Sequence, residues 1–162
     1  MRYAPRRTAR VLRVAKNPTL PPAVAPELPP LASEASGGEG RGDFIMEARF
    51  ARHMLRQRRR REAMLGKELF ADPAWDMLLD LFAAEVEGRR VSKSSLVIAA
   101  SVPQSTALRW MSDLVNAGQL ERYPDTADGR RTFISLTETS FQNIGRLLRI
   151  CIADSKAFAA QF

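Results

Sequence analysis

The stretch from Ser92 to Thr137 constrains the fold most, because its apolar period switches from helical to alternating within a few residues. Ser92 can cap a short helix running to about Ala100, a tight break follows at Ser101–Val102, and Pro103 opens a second helix to about Ala117. Gly118 ends that helix, since glycine takes the left-handed backbone that closes helical turns. "LERYPD" then leads into a strand, "TADG" turns the chain, and "RTFISLT" alternates, with Phe133, Ile134 and Leu136 divided between two faces. Two adjacent arginines, Arg130 and Arg131, therefore stand at the tip of a hairpin.

The flanking segments read as helices. Asp43 to about Leu65 lacks glycine and proline and is rich in good helix formers. Phe44, Ala51 and Leu55, with Phe50 and Met54, give two partial stripes, and "RQRRRRE" from Arg56 to Glu62 wraps positive charge around the whole circumference. Such a run reads as a solvated face, a phosphate contact or an interhelical salt-bridge surface. Asp72 is an N-cap before Pro73, and Trp75, Leu78, Leu79, Phe82 and Val86 form one apolar stripe ending at Gly88. Thr137 caps a last helix to about Gln161, with a stripe of Phe141, Ile144, Leu148, Cys151 or Ile152, and Phe158, and with Gly145 as a mild interior weakness. Residues 1–42 are expected to be a disordered basic, proline-rich arm and linker. The domain plan is thus 1–42 arm, 43–65 arginine-rich helix, 66–137 helix-turn-helix with hairpin, and 138–162 terminal helix.

Charge is sorted along this plan. Residues 1–42 carry seven Lys/Arg against three Asp/Glu, 43–65 carry the same, and 66–162 carry eleven against twelve. The net charge of +7 therefore lies outside the best-folded part, and its location says more than its sum. A single cysteine, Cys151, leaves no disulfide framework or cysteine metal site within one chain, and it suits a reducing cytoplasm. No apolar run is long enough to span a membrane, and the arginine-rich start lacks a signal-peptide core. His53 is the only histidine, with no acid, thiol or ligand cluster beside it in sequence, so no enzyme, metal or cofactor is expected.

Two short helices, a tight turn and an immediate hairpin are the plan of a winged helix-turn-helix: mostly α, with a small β-hairpin wing. Its second helix can lie in a DNA major groove, with the wing over the adjacent backbone and minor groove, where arginines are favoured. Val102, Ala107, Met111 and Leu114 follow the core side of that helix. Gln104, Ser105, Leu108, Arg109 and Ser112 are left toward solvent or DNA. Gln pairs with adenine, Arg with guanine, and Ser with a base or a phosphate. Arg109 has an alternative partner in Asp113, four residues on. Thr106 reads as contact or core, and Trp110 as core or helix packing ahead of base stacking. Ser92, Lys93 and Ser94 stand at a helix start, suited either to a phosphate or to simple capping.

"LVIAASVPQSTALRWMSDLVNAGQLER" resembles the helix-turn-helix of the MarR-type (multiple-antibiotic-resistance regulator) winged-helix family. Leu96, Val102, Ser105, Thr106, Arg109, Leu114, Gly118, Leu120 and Arg122 stand where that family's pattern wants them. "DTADGRRTFISLT" resembles its wing through Asp125, Asp128, Arg130, Leu136 and Thr137. The resemblance covers roughly residues 66–150. The chain departs from the pattern at Ala127, where the family often has arginine, at Ser140, where glycine is common, and at Pro103, where a capping hydroxyl is lost. Consecutive strand residues point to opposite faces, so one of Arg130 and Arg131 pairs with Asp125 or Asp128 and stiffens the turn while the other is free for the groove; the resemblance favours Arg130 as the wing contact. The reverse assignment stays open.

These readings lead to a cytoplasmic, sequence-specific regulator that binds double-stranded DNA and joins the nucleoid when bound. The resemblance implies a homodimer built by the terminal helices, and a family in which small-molecule effectors or oxidants are common; Cys151 is the sole redox candidate here, but its apolar helical position reads first as a buried core thiol. The rival class is a winged-helix protein-interaction module, consistent with a core near charge neutrality.

Overall fold

The computed structural model describes residues 40–66, 69–125, 128 and 131–161. A 3-10 turn, Arg41–Phe44, runs into α1 (Ile45–Leu65); α2 (Pro73–Val86), β1 (Val91–Ser92), α3 (Lys93–Ala99) and α4 (Gln104–Asn116) follow. Then come β2 (Leu120–Pro124), β3 (Thr132–Leu136) and α5 (Glu138–Ala159). The expected arm lies outside the described residues as far as 39. Its last residues, Gly40 to Gly42, belong to the fold and not to a linker, because Asp43 N–H donates to Gly40 O at 2.9 Å and the turn leads Phe44 into the core.

The caps act as local chemistry requires. Asp72 accepts from Trp75 N–H, Ser92 from Ser95 N–H and Thr137 from Ser140 N–H, each satisfying a donor that a helix start leaves unpaired. Gly88 and Gly118 close α2 and α4 with φ of 70° and 68°. β3 is central in a three-stranded antiparallel sheet of order β1-β3-β2, with Val91 opposite Ile134 and Leu120 opposite Leu136. The two-residue β1 was not expected from sequence. It is too short to carry a period, and its pairing partner is distant in the chain.

α2 is the axis of the core. Instead of one stripe, Met77, Leu79, Leu81, Phe82, Ala83 and Ala84 are all enclosed, while Trp75, Leu78 and Val86 are half-buried. A helix apolar on most sides is one covered on most sides, and α1, α3, α4, α5 and β3 all pack against it. Phe44 fills the space between α1, α2 and α5. Its ring meets Phe82 edge-on at 5.9 Å and Phe141 edge-on at 5.3 Å, and the Arg149 guanidinium lies 4.5 Å from its centroid. Gly145 is the fourth wall. A Cβ there would stand 2.4 Å from Phe44 Cε1, so the expected helix weakness is a packing requirement.

The run of arginines on α1 also takes a specific form. Arg58 and Arg59 turn inward to Asp76, which is fully buried on α2, and Arg59 also meets Glu62. Arg58 Nε stands 2.5 Å from Asp76 Oδ1, an ion pair by distance but off the line of a hydrogen bond. Burial raises the Asp76 pKa above the usual carboxylate value, against the pull of the two arginines. Arg56 and Arg60 face solvent. The interhelical reading thus holds for two of the arginines and the solvated reading for two others. On α5, Phe141, Ile144 and Leu148 are buried as expected, Cys151 and Ile152 are half-buried, and Phe158 departs from the expected stripe at 65% exposure. From Ala153 onward the helix is exposed. Among the described residues, no helix is long and apolar enough to cross a membrane.

Candidate nucleic-acid interface

α3 and α4 are joined by a turn in which Ser101 takes φ of 55°, a left-handed conformation that costs a non-glycine residue about 1–2 kcal/mol. Ala107 and Met111 then face the core, with Val102 and Leu114 packed at its margin. That placement turns Gln104, Ser105 and Arg109 fully outward and leaves Thr106, Leu108 and Ser112 half-buried along the same helix. Trp110 is 36% exposed and lies outside the core cluster, so the core reading among its alternatives does not hold. Ala107 and Met111 occupy the inward turns of so short a helix, and position 110 falls between them and the open face.

The alternative partner for Arg109 is absent. Among the described residues its guanidinium makes neither an ion pair with Asp113 nor any hydrogen bond. The start of α4 is open in the same way: Pro103 is its N-cap and supplies no side-chain bond to the first amides. A helix start with free N–H groups carries a partial positive charge suited to an anion.

The hairpin turn is held by backbone bonds, Asp125 N–H to Arg131 O at 3.0 Å and Arg131 N–H to Asp128 O at 2.9 Å. Arg131 also faces Asp128 Oδ2 at 3.8 Å and remains 70% exposed, which makes a weak brace. Arg131 thus faces an aspartate of its own turn. Arg130, expected to make the wing contact, lies outside the described residues, as does Ala127. Farther down the wing, Tyr123 and Phe133 stack across the strands at 5.8 Å, and the Arg90 guanidinium lies 3.9 Å from the Phe133 centroid. Sequence reasoning missed Arg90, whose only signal was a basic residue just ahead of β1.

An open polar cleft brings the outlying candidates together. It is lined by Ser92, Lys93, Ser94, Arg131, Thr132 and Phe133. The antiparallel pairing of β1 with β3, with Ser92 opposite Phe133, places the start of α3 beside the wing. Ser92 spends its hydroxyl on capping, through Ser95 N–H at 3.1 Å, so Lys93 and Arg131 are the charged groups facing this cleft. Arg52 and Arg89 are occupied by Glu87, whose pKa is lowered mainly by its hydrogen bonds to Arg52.

No family model matches the chain, and no curated protein matches it. Among solved structures it is similar to MepR of S. aureus in a DNA-binding conformation, with 18% identity over 70% of this chain and 80% of that one and a TM-score of 0.46. It is also similar to the PcaV transcriptional regulator of Streptomyces coelicolor, in complex with its natural ligand, at 25% identity over 56% and 62% with a TM-score of 0.41. The adhesin competence repressor AdcR of Streptococcus pyogenes is alike at 19% identity over 53% and 61%, again with a TM-score of 0.41. Each TM-score lies below 0.5, so the fold assignment rests on this chain's own elements and their order. The helix, tight turn, helix and hairpin wing, with β1 completing a three-stranded sheet and long helices on either side in the chain, make this a winged helix-turn-helix protein.

Proposed function

We propose that this chain is a sequence-specific, double-stranded-DNA-binding transcription regulator of MarR type. α4 enters the major groove and the wing, residues 120–136, follows the minor groove. The observation that carries this reading is the outward face of α4. Gln104, Ser105 and Arg109 are exposed, and Arg109 has no intramolecular partner among the described residues, although Asp113 is at helical reach. A guanidinium kept free on a rigid helix is ready for bidentate contact with guanine. Lys93 and Arg131 supply backbone contacts from the cleft beside it, with Ser92, Thr106 and Ser112 as supporting polar groups and Arg130 as a further contact.

The functional unit is a homodimer. Ile45 and Met46 on α1 and Leu147 and Ile150 on α5 are exposed, and they flank the Glu47–Arg149 ion pair that joins these helices. Apolar groups gathered at one helix pair are the mark of a subunit contact. Selection of DNA fragments from the source genome by purified protein, followed by anisotropy titrations over salt, tests the function. The expected result is one enriched motif with two half-sites and an affinity that falls as salt rises. Absence of any enriched motif would overturn it.

A further inference from the structure

Ala99 is the last residue of α3, and its carbonyl is among those that a helix end leaves without an intrahelical partner. Arg59, forty residues earlier on α1, donates to that oxygen through Nη2 at 2.5 Å. The other arm of the same guanidinium, Nη1, reaches Glu62 at 3.1 Å and Asp76 Oδ2 at 3.3 Å. One planar group therefore ties three elements: α1 through Glu62, α2 through Asp76, and the C-terminal end of α3. The carboxylates that hold it are among the most enclosed in the fold, with side-chain exposures of 6% for Glu62 and 1% for Asp76. The tie falls immediately before the turn at Ser101 that sets the start of α4.

We propose that Arg59 is a positioning residue for the recognition helix: by capping Ala99 O from a frame fixed by Glu62 and Asp76, it sets where Gln104, Ser105 and Arg109 stand. The inference rests on the DNA-binding reading and adds a residue that touches no DNA. Arg58 is the natural comparison. It pairs with Asp76 and Asp72 from the neighbouring position on α1 but makes no hydrogen bond to α3. Losing Arg58 perturbs the same buried acid without freeing the Ala99 carbonyl. A lysine at position 59 keeps the charge beside the acids, so the fold is retained. Its single ammonium lacks the fork that spans the acids and Ala99 O together.

The test compares full-length wild type, Arg59→Lys and Arg58→Lys on the selected DNA fragment and on a shuffled duplex of equal length. Non-specific binding is a phosphate effect and tolerates a displaced recognition helix, whereas base contacts do not. Arg59→Lys is expected to lower the ratio of specific to non-specific affinity about tenfold, the scale of one lost base contact. Arg58→Lys is expected to leave that ratio unchanged. A purely structural role would reduce the active fraction and scale both affinities together, so an unchanged ratio in Arg59→Lys overturns the proposal. A wild-type ratio of one overturns the DNA-recognition reading itself, and this inference with it. A DNA-independent arm is amide hydrogen exchange across Gln104–Arg109 in the free proteins. Faster exchange in Arg59→Lys than in Arg58→Lys is expected, and equal exchange in the two overturns the positioning role.

Discussion

Replacing Gly145 by alanine should destabilise the protein, although helix propensity alone argues for the opposite. Within a helix, alanine is favoured over glycine by about 1 kcal/mol. Against that gain, the new methyl would lie 2.4 Å from Phe44 Cε1, 2.8 Å from Cδ1 and 3.2 Å from Cζ. The ring has little room to retreat, with Phe82 and Phe141 edge-on to it and Arg149 over it. Overpacking a rigid core costs about 1–3 kcal/mol, and a ring enclosed on these sides belongs at the upper end. The balance is a net loss of about 2 kcal/mol, or about 8 °C in Tm for a folded region of this size. Urea unfolding followed by circular dichroism, with an unchanged m-value, measures it. The cause is isolated by Phe44→Leu in the Gly145→Ala background, which should recover at least about 1 kcal/mol as a coupling term in the double-mutant cycle. A Gly145→Ala protein as stable as wild type, or more so, would refute the reasoning that glycine is kept here for the ring.

Two further outcomes are expected. Glu87 has a lowered pKa because Arg52 and Arg89 hold its charged form, so its stabilisation is present above the unfolded carboxylate pKa and is lost as pH falls through the folded value. Asp76, raised by burial, acts in the opposite sense, its contribution being lost as pH rises through the folded value; thermal melts of Glu87→Gln should therefore differ most from wild type near neutrality and converge with it in acid. Ile150, 57% exposed on α5, should tolerate Ile150→Asp without loss of helix content while shifting the protein to monomer by sedimentation, and an unshifted dimer would place the interface elsewhere.

The elements most legible in the sequence are those whose determinants are local. Asp72, Ser92 and Thr137 cap the helices they precede, and the alternation after Gly118 gives the hairpin, because cap and period are read within a few residues. What escaped depends on the partner across the fold. A run of arginines does not reveal that two of its members face a buried aspartate, and Asp76 within an apolar helix carries no mark of its burial. Gly145 looked like a defect because its reason, Phe44, lies a hundred residues away. β1 is defined only by pairing with β3. At the candidate interface, the outward set of Gln104, Ser105 and Arg109 follows from period alone. The choice between Asp113 and solvent for Arg109 could be made only once the side chain was placed. The joining of Lys93 with Arg131 in one cleft needed the sheet register.

The central claim is that the free face of α4 reads DNA sequence, and Arg109 tests it most directly. Anisotropy titrations of wild type and Arg109→Ala on the selected fragment and on a shuffled duplex, each at several salt concentrations, separate base reading from phosphate contact. The expected result is a loss of about 1–3 kcal/mol on the selected fragment, much of it absent on the shuffled one, with relaxed preference at one base pair. A loss equal on both duplexes, with the salt slope reduced by about one, would make Arg109 a phosphate contact only. No loss on either would contradict the assignment of α4 as the recognition helix.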